Sequence, residues 1–238
     1  MKDMTKASNP IYLAFFLLLV CGISTLVMAV TAVKTDKPIR DAQERETAES
    51  LKMILPEFEK TVESAIKSPD GVPVKLYTAF AKDGKLVGYA AEAKAKGFGG
   101  DVTGLVSFET DGTIRTVIIK SGHSETPGIG TKVTDRAVKR TISDVVKGVK
   151  PDTSKLQPNP VLDSYSGVMP GNEKWTKDTD KDKVHFVSGA TYSSNGVRDL
   201  VWYAATAVRD CIAAQSGSVE QAADGDAPSA SDEKKEEN

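Results

Sequence analysis

The stretch Ser188-Gly189-Ala190-Thr191-Tyr192-Ser193-Ser194-Asn195-Gly196-Val197 carries the most informative signal in this chain. A short and mostly apolar run precedes it, and an apolar pattern of helical period follows it. This order predicts a turn and then a helix start, with a threonine hydroxyl beside free backbone N–H groups. Such groups attract a phosphate through hydrogen bonds and through the helix dipole. The alternative is an ordinary helix cap, for which Ser, Thr and Asn are the usual residues.

A second motif lies upstream, at His123-Ser124-Glu125-Thr126-Pro127-Gly128-Ile129-Gly130. Pro127 and Gly128 together are typical of a turn, and Gly130 offers a further position that can adopt a positive φ. Taken alone, this pattern indicates an ordinary turn between a strand and a helix.

Together the two motifs resemble those of the FMN-binding domain family. The stretch from Ser188 is similar to the family's flavin-attachment motif, Ser-Gly-Ala-Thr-x-Ser. The upstream motif is similar to its His-x-Glu-Thr-Pro-Gly-Leu-Gly loop, with Ile129 in place of Leu. The resemblance implies that a flavin transferase joins the FMN phosphate to Thr191 as a phosphoester. His185 stands where the family usually has Asp, which implies slower flavinylation if the transferase reads that position.

The other candidate cofactor-binding residues belong to the same two motifs. The resemblance implies that Glu125 and Thr126 contact the flavin ring or its ribityl chain. The full predicted set places the covalent bond on Thr191 and puts these residues around the FMN: Ser188, Gly189, Ala190, Ser193, Ser194, Glu125, Thr126 and Gly128. No catalytic residue and no metal ligand is predicted.

The resemblance also implies a function, and it is closest to the branch of the family that serves in Rnf complexes as their G component. Rnf complexes move electrons between ferredoxin and NAD and couple this to cation translocation. The implied partners are membrane and iron–sulfur subunits, and a flavin transferase for maturation. Two alternatives stay open: the related C component of a sodium-translocating NADH:quinone reductase, and a ligand-binding module that carries no covalent flavin.

Composition excludes some other classes of function. The 238 residues carry a formal net charge of −2, and no Lys/Arg cluster forms a basic face, which argues against nucleic acid as a partner. A secreted hydrolase would need a nucleophile, and the chain has no nucleophile elbow and no Cys–His signature. Cys21 and Cys211 lie in unrelated settings, which argues against a disulfide.

The N-terminal region predicts a membrane anchor. After a short segment, 1–10, the run Ile11–Val33 carries no charge and is long enough to span a bilayer. A cleaved signal peptide is the alternative, because small residues near Ala32 offer a cleavage site. Basic residues flank both ends, so charge does not decide the orientation. The resemblance implies a flavin domain on the extracytoplasmic side of the cell membrane.

Beyond the anchor, the sequence predicts an α+β protein. Apolar residues recur at spacings of three and four, which predicts a helical stalk over 34–66 or a simple core helix, with Pro38 near its start and a break at Pro56. An FMN-binding domain follows over 67–214, built on an antiparallel sheet. Its predicted strands are 74–80, 85–91, 102–109 and 113–120, paired through Asp83-Gly84 and Asp111-Gly112. Helices are predicted over 133–149 and 195–214.

Three further segments are interpreted from their composition. Gly97, Gly99 and Gly100 indicate a flexible connection or a bulge. Residues 152–182 are polar and rich in proline, which predicts irregular structure, and Trp175 within them either stacks on the flavin or closes an edge of the core. Residues 215–238 are acidic and poor in large apolar residues, which predicts a disordered tail.

Overall fold

The computed structural model describes residues 10–136, 156–176 and 184–223. The first element, α1, is a single helix over Pro10–Ile54. It continues without a break through Pro38, where the sequence indicates the start of a separate helix. It ends just before Pro56, as predicted. Its most apolar stretch has a mean hydropathy of 2.7, so by length and composition the helix can cross a membrane.

The chain divides into two compact units, one ending at Ala48 and the other beginning at Glu49. The second unit therefore begins within the last turns of α1, upstream of the predicted domain start at residue 67. The predicted helical stalk is wrong in its last part, because Lys60–Lys67 forms strand β1. Most side chains of β1 are exposed, and an edge strand of this kind lacks the apolar alternation that marks a half-buried strand.

The sheet contains five strands in chain order, each antiparallel to its neighbour. After β1 come β2 (Pro73–Phe80), β3 (Leu86–Lys96), β4 (Asp101–Phe108) and β5 (Ile114–Ile119). The four predicted strands are confirmed, and β3 runs five residues further than predicted, to Lys96.

Both predicted Asp-Gly hairpins are present, and the reason is local. Gly84 and Gly112 adopt φ of 79° and 88°, a conformation that favours glycine. The preceding aspartates accept hydrogen bonds from backbone N–H groups two residues on, at Lys85 (3.1 Å) and Thr113 (2.8 Å). These turns fix the register of the β2–β3 and β4–β5 hairpins.

The two faces of the sheet are covered differently. One face packs against the helix that begins at Thr191 and forms the main core, which includes Val74, Val106 and Phe108. The other face is covered by the end of α1, where Leu51, Ile54 and Leu55 join a smaller apolar cluster. Because both faces are covered, β4 is buried at five consecutive residues, from Gly104 to Phe108, although its sequence includes polar residues.

Two short helices follow the sheet. Helix α2 covers Thr131–Thr134 and ends at Asp135, whose backbone is extended, so the helix predicted over 133–149 is wrong at 135–136, and 137–149 lies outside the described residues. Helix α3 covers Pro160–Asp163. Irregular structure was predicted over 152–182, so this single turn of helix is an exception to that prediction. Pro160 stands at the first helical position, where its missing N–H costs nothing, and Asn159 caps the helix by accepting from the N–H groups of Val161 and Leu162.

The last helix, α4, covers Thr191–Ala223 and begins one turn earlier than predicted. Its continuation to Ala223 shows that the first part of the predicted disordered tail is helical. The chain has no proline between Thr191 and Ala223, so each added residue extends the helix with one more hydrogen bond. Residues 224–238 lie outside the described residues.

Trp175 lies in the core beside α4. It is 4% exposed and meets the rings of Tyr165 and Trp202 edge to face, with centroids 5.8 and 5.4 Å away. Its indole ring therefore closes the edge of the core, and its faces are not offered to a flavin.

Candidate flavin site

The start of α4 is built around a glycine turn. Ala190 N–H donates to the carbonyl of Val187 at 3.1 Å, and Gly189 within this turn has a φ of 84°. The carbonyl of Ala190 accepts from Ser194 N–H at 2.8 Å, which makes Ala190 the capping residue of the helix. An alanine side chain cannot accept a hydrogen bond. The N–H groups of the first turn therefore find no acceptor in the capping side chain, and they lie at the positive end of a long helix.

The four aliphatic hydroxyls of the motif divide into two pairs. Ser193 and Ser194 are 2% and 1% exposed, and both are hydrogen-bonded inside the protein. Ser193 donates to the carboxylate of Glu125, and Ser194 accepts from Val187 N–H at 3.2 Å. Ser188 and Thr191 are exposed. The structure thus leaves two of the four hydroxyls open to a modifying enzyme, and only Thr191 lies in the first turn of α4.

Glu125 connects the two motifs. It is 5% exposed, and its two carboxylate oxygens face protein donors. Oε1 accepts from the backbone N–H of Phe98 at 2.9 Å and of Gly99 at 3.4 Å, both in the turn between β3 and β4. Oε2 accepts from the hydroxyl of Ser193. One buried carboxylate therefore holds the hairpin turn, the upstream motif and the first turn of α4 together.

Glycines allow this close assembly. A Cβ on Gly97 would lie 2.1 Å from Glu125 Oε1, and one on Gly99 would lie 1.6 Å from the carbonyl oxygen of Ser124. The segment for which the sequence indicates flexibility is a tight turn, closed by a 2.8 Å hydrogen bond from Gly97 N–H to the Gly100 carbonyl. Gly97 and Gly99 are required because the Glu125 side chain and the Ser124 backbone, respectively, pass directly against them.

Gly196 brings α4 onto the same turn. A Cβ at this position would lie 2.8 Å from the carbonyl oxygen of Lys96 and 3.0 Å from Gly97 Cα. Inside a helix, glycine is less favourable than alanine by about 1 kcal/mol. Its presence one turn after Thr191 is explained by this approach of two backbones.

We expect Gly196→Ala to destabilise the protein, although alanine has a higher helix propensity than glycine. The displaced backbone should cost about 1–3 kcal/mol, as overpacking usually does. Urea unfolding followed by tryptophan fluorescence measures it. Gly171→Ala is the matched control, because nothing lies within 4 Å of its Cβ position. Equal stability of the two variants would contradict the close approach.

The rest of the upstream motif forms a turn that leads into α2. The carbonyl of Thr126 accepts from the N–H groups of Ile129 and Thr131, each at 3.2 Å. Gly128 has the positive φ, 75°, and its N–H donates to Thr131 Oγ1 at 2.8 Å. The positive φ expected at Gly130 is absent, since its φ is −64°. Gly130 is needed for space instead, because a Cβ there would lie 2.6 Å from Glu125 Oε2.

The two histidines have separate environments. Nε2 of His123 lies 2.9 Å from Asp135 Oδ1, and its buried Nδ1 has no partner among the residues that the structure describes. His185 is exposed, and its backbone N–H donates to Ser164 Oγ at 3.0 Å. With Val187 it lines a cleft of about 530 Å³ beside α2 and α3. The side chain of His185 is thus accessible from solvent.

Two residues near Thr191 were missed in the sequence. Phe98 and Tyr192 are 65% and 72% exposed, and their ring centroids lie 6.2 Å apart. Phe98 lies among Gly97, Gly99 and Gly100, which indicated only a flexible connection or a bulge, and no sequence signal marked its ring as exposed. Tyr192 lies inside the motif, where attention falls on the small and hydroxyl-bearing residues.

Comparison with known proteins agrees with the two motifs. Residues 97–206 match the family described as FMN-binding domain. This range begins at the glycine turn, includes Glu125 and Thr191, and ends within α4. The resemblance inferred from the two motifs is therefore confirmed over this part of the chain.

Two relatives are each described as the G subunit of an ion-translocating oxidoreductase complex. The protein from Methanosarcina acetivorans is 27% identical over 205 residues, which cover 84% of this chain and 93% of that protein. The protein from Cereibacter sphaeroides is 30% identical over 131 residues, which cover 53% of this chain and 59% of that protein. Among solved structures, NqrC from Shewanella oneidensis matches 65% of this chain and 66% of its own, at 23% identity and a TM-score of 0.37.

Proposed function

We propose that this protein is a membrane-anchored flavoprotein subunit of an ion-translocating oxidoreductase complex, with FMN bound covalently to Thr191. The observation that carries the proposal is the division of the motif hydroxyls. Ser193 and Ser194 are buried and hydrogen-bonded, whereas Thr191 is exposed in the first turn of α4. A phosphoester bond from Thr191 Oγ1 would place the FMN phosphate beside the N–H groups of that turn.

The residues present fit a phosphate at this position. The helix is long, its capping residue has no side-chain acceptor, and Gly189 and Ala190 leave the backbone open to approach. A dianionic phosphomonoester loses one charge when it becomes a diester, and the remaining charge lies at the positive end of the helix dipole. Ser188, exposed in the glycine turn that precedes α4, would be a further hydrogen-bond donor to the phosphate oxygens.

FMN, when bound, supplies the redox chemistry, because flavins exchange electrons with many partners. The protein's own part is to hold the cofactor and to set its surroundings. Glu125 is proposed as a positioning residue for this site, since its carboxylate fixes the three segments around Thr191. Direct contact of Glu125 or Thr126 with the flavin, expected from the resemblance, remains a proposal.

The covalent bond suits a cofactor held outside the cytoplasm. FMN released there would be diluted, whereas a tether keeps its local concentration high. We propose that α1 is a retained anchor, supported by its apolar stretch, and that the flavin domain faces the extracytoplasmic side, as the resemblance implies. The descriptions of the two relatives support a place among the subunits of a membrane complex. We further propose that the complex transfers electrons between ferredoxin and NAD.

Purification of the full-length protein in mild detergent from its native membranes tests the assignment to a complex. We expect iron–sulfur and further membrane subunits to copurify in fixed proportion, together with flavin that stays on this chain after denaturation. A chain that elutes alone and without flavin would favour the second candidate, a ligand-binding module. Copurifying quinone-reductase subunits would indicate the sodium-translocating NADH:quinone reductase instead of an Rnf complex.

A further inference from the structure

Two exposed aromatic side chains lie together beside Thr191, because Tyr192 follows it in the chain and Phe98 is in contact with Tyr192. Among the described residues after Pro56, large apolar residues are exposed at five positions: Val62, Phe98, Ile129, Met169 and Tyr192. Single exposed apolar residues are normal on a protein surface. Here three of the five come from the three segments that Glu125 holds together, and the two aromatic ones, Phe98 and Tyr192, are in ring contact.

The backbones that carry these two rings are fixed. Phe98 N–H donates to Glu125 Oε1, and Tyr192 lies between Thr191 and Ser193, whose hydroxyl donates to the same carboxylate. The rings themselves project to solvent, at 65% and 72% exposure. Exposed rings on an anchored backbone can bind a planar partner with little loss of backbone entropy.

We propose that Phe98 and Tyr192 form a platform on which the isoalloxazine ring of the Thr191-linked FMN lies. This inference rests on the proposed function, because the tether brings the ring to this surface. Tyr192 is the residue next to the attachment point, so the tether holds a flat aromatic group at high local concentration beside it. The occupant is thus the cofactor of this same chain.

The ring geometry limits how the platform works. The two ring planes are inclined by 50°, so a third ring can lie parallel to only one of them and must meet the other near its edge. Offset-stacked and edge-to-face contacts are both favourable for aromatic groups. The same contacts would cover the two aromatic side chains. Their exposure in the chain without cofactor is explained if the flavin is the group that covers them.

The test uses the full-length protein, coexpressed with a flavin transferase and kept in detergent. The variants are Phe98→Ala, Tyr192→Ala, the double variant, and the conservative Tyr192→Phe. Met169→Ala is the matched control, because Met169 is exposed and apolar but lies outside the three segments. Two quantities are measured per bound flavin: fluorescence anisotropy of the folded protein, and quenching of the flavin by iodide.

We expect each alanine variant to lower the anisotropy and to raise iodide quenching at least twofold, and the double variant to do so further. Tyr192→Phe and Met169→Ala should match the wild type. Unchanged anisotropy and quenching in the double variant would overturn the platform, and would leave the aromatic pair as a contact for another protein of the complex. Failure of the proposed function can be told apart from failure of the platform. If FMN is not covalently bound, the wild-type protein itself will lose its flavin on denaturation.

Discussion

Replacing Thr191 by alanine is expected to remove all covalently bound FMN while the protein stays folded. The hydroxyl is the only nucleophile at that position, and substitution of an exposed side chain that is not the helix cap usually changes stability by no more than about 0.5 kcal/mol. The measurement is flavin fluorescence of the denatured protein band in a gel, after coexpression with a flavin transferase. Unfolding by urea on the same samples checks that the fold persists.

Two further substitutions sharpen this prediction. Thr191→Ser keeps an oxygen nucleophile and should keep part of the flavin. Ser188→Ala removes the other exposed aliphatic hydroxyl of the motif and should keep nearly all of it. If Ser188→Ala loses all of its flavin and Thr191→Ala retains it, the attachment site is Ser188 and not Thr191.

Replacing Glu125 by alanine is expected to cause the largest loss of stability among substitutions at the site. It removes the acceptor for Phe98 N–H, for Gly99 N–H and for the hydroxyl of Ser193. The Ser193 hydroxyl is buried, and a buried donor left without a partner costs about 1–3 kcal/mol, whereas the two part-buried N–H groups can turn to water at a smaller cost, so we expect a total of about 2–4 kcal/mol. Flavin attachment should also fall, because the first turn of α4 loses its link to the hairpin turn.

Urea unfolding followed by tryptophan fluorescence measures this loss, since both tryptophans, Trp175 and Trp202, lie in the main core. Glu125→Gln keeps the shape and one acceptor oxygen, and it should cost less than Glu125→Ala. Glu63→Ala is the matched control, because Glu63 is exposed and its 3.6 Å pair with Lys75 is worth at most about 1 kcal/mol. A stability of Glu125→Ala equal to that of Glu63→Ala would show that the carboxylate does not hold the site together.

Local signals made much of the fold predictable from the sequence. Asp83-Gly84 and Asp111-Gly112 specify their turns through their own backbone geometry and side-chain hydrogen bonds. The four strands that flank these turns could therefore be predicted. Strand β1 was missed for the opposite reason. Its side chains are mostly exposed, and its few apolar residues fit a helical spacing as well as they fit a strand.

The assembly of the site could not be predicted in the same way. The partners of Glu125 lie 26, 27 and 68 residues away along the chain, so no local pattern reports them. The glycines at 97, 99, 130 and 196 were visible, but their reason is an approach between segments that only the folded chain shows. The sequence predicted which residues form the motifs, whereas the structure showed which of their hydroxyls are buried.

The most direct measurement is mass spectrometry of the wild-type protein after maturation with a flavin transferase and digestion with trypsin. Cleavage after Lys183 and Arg198 yields one peptide that contains every hydroxyl of the motif. Fragmentation of this peptide should locate the mass of FMN on Thr191, with Ser188, Ser193 and Ser194 unmodified. An unmodified peptide, or FMN on any other residue of it, would contradict the assignment of this protein as a carrier of FMN on Thr191.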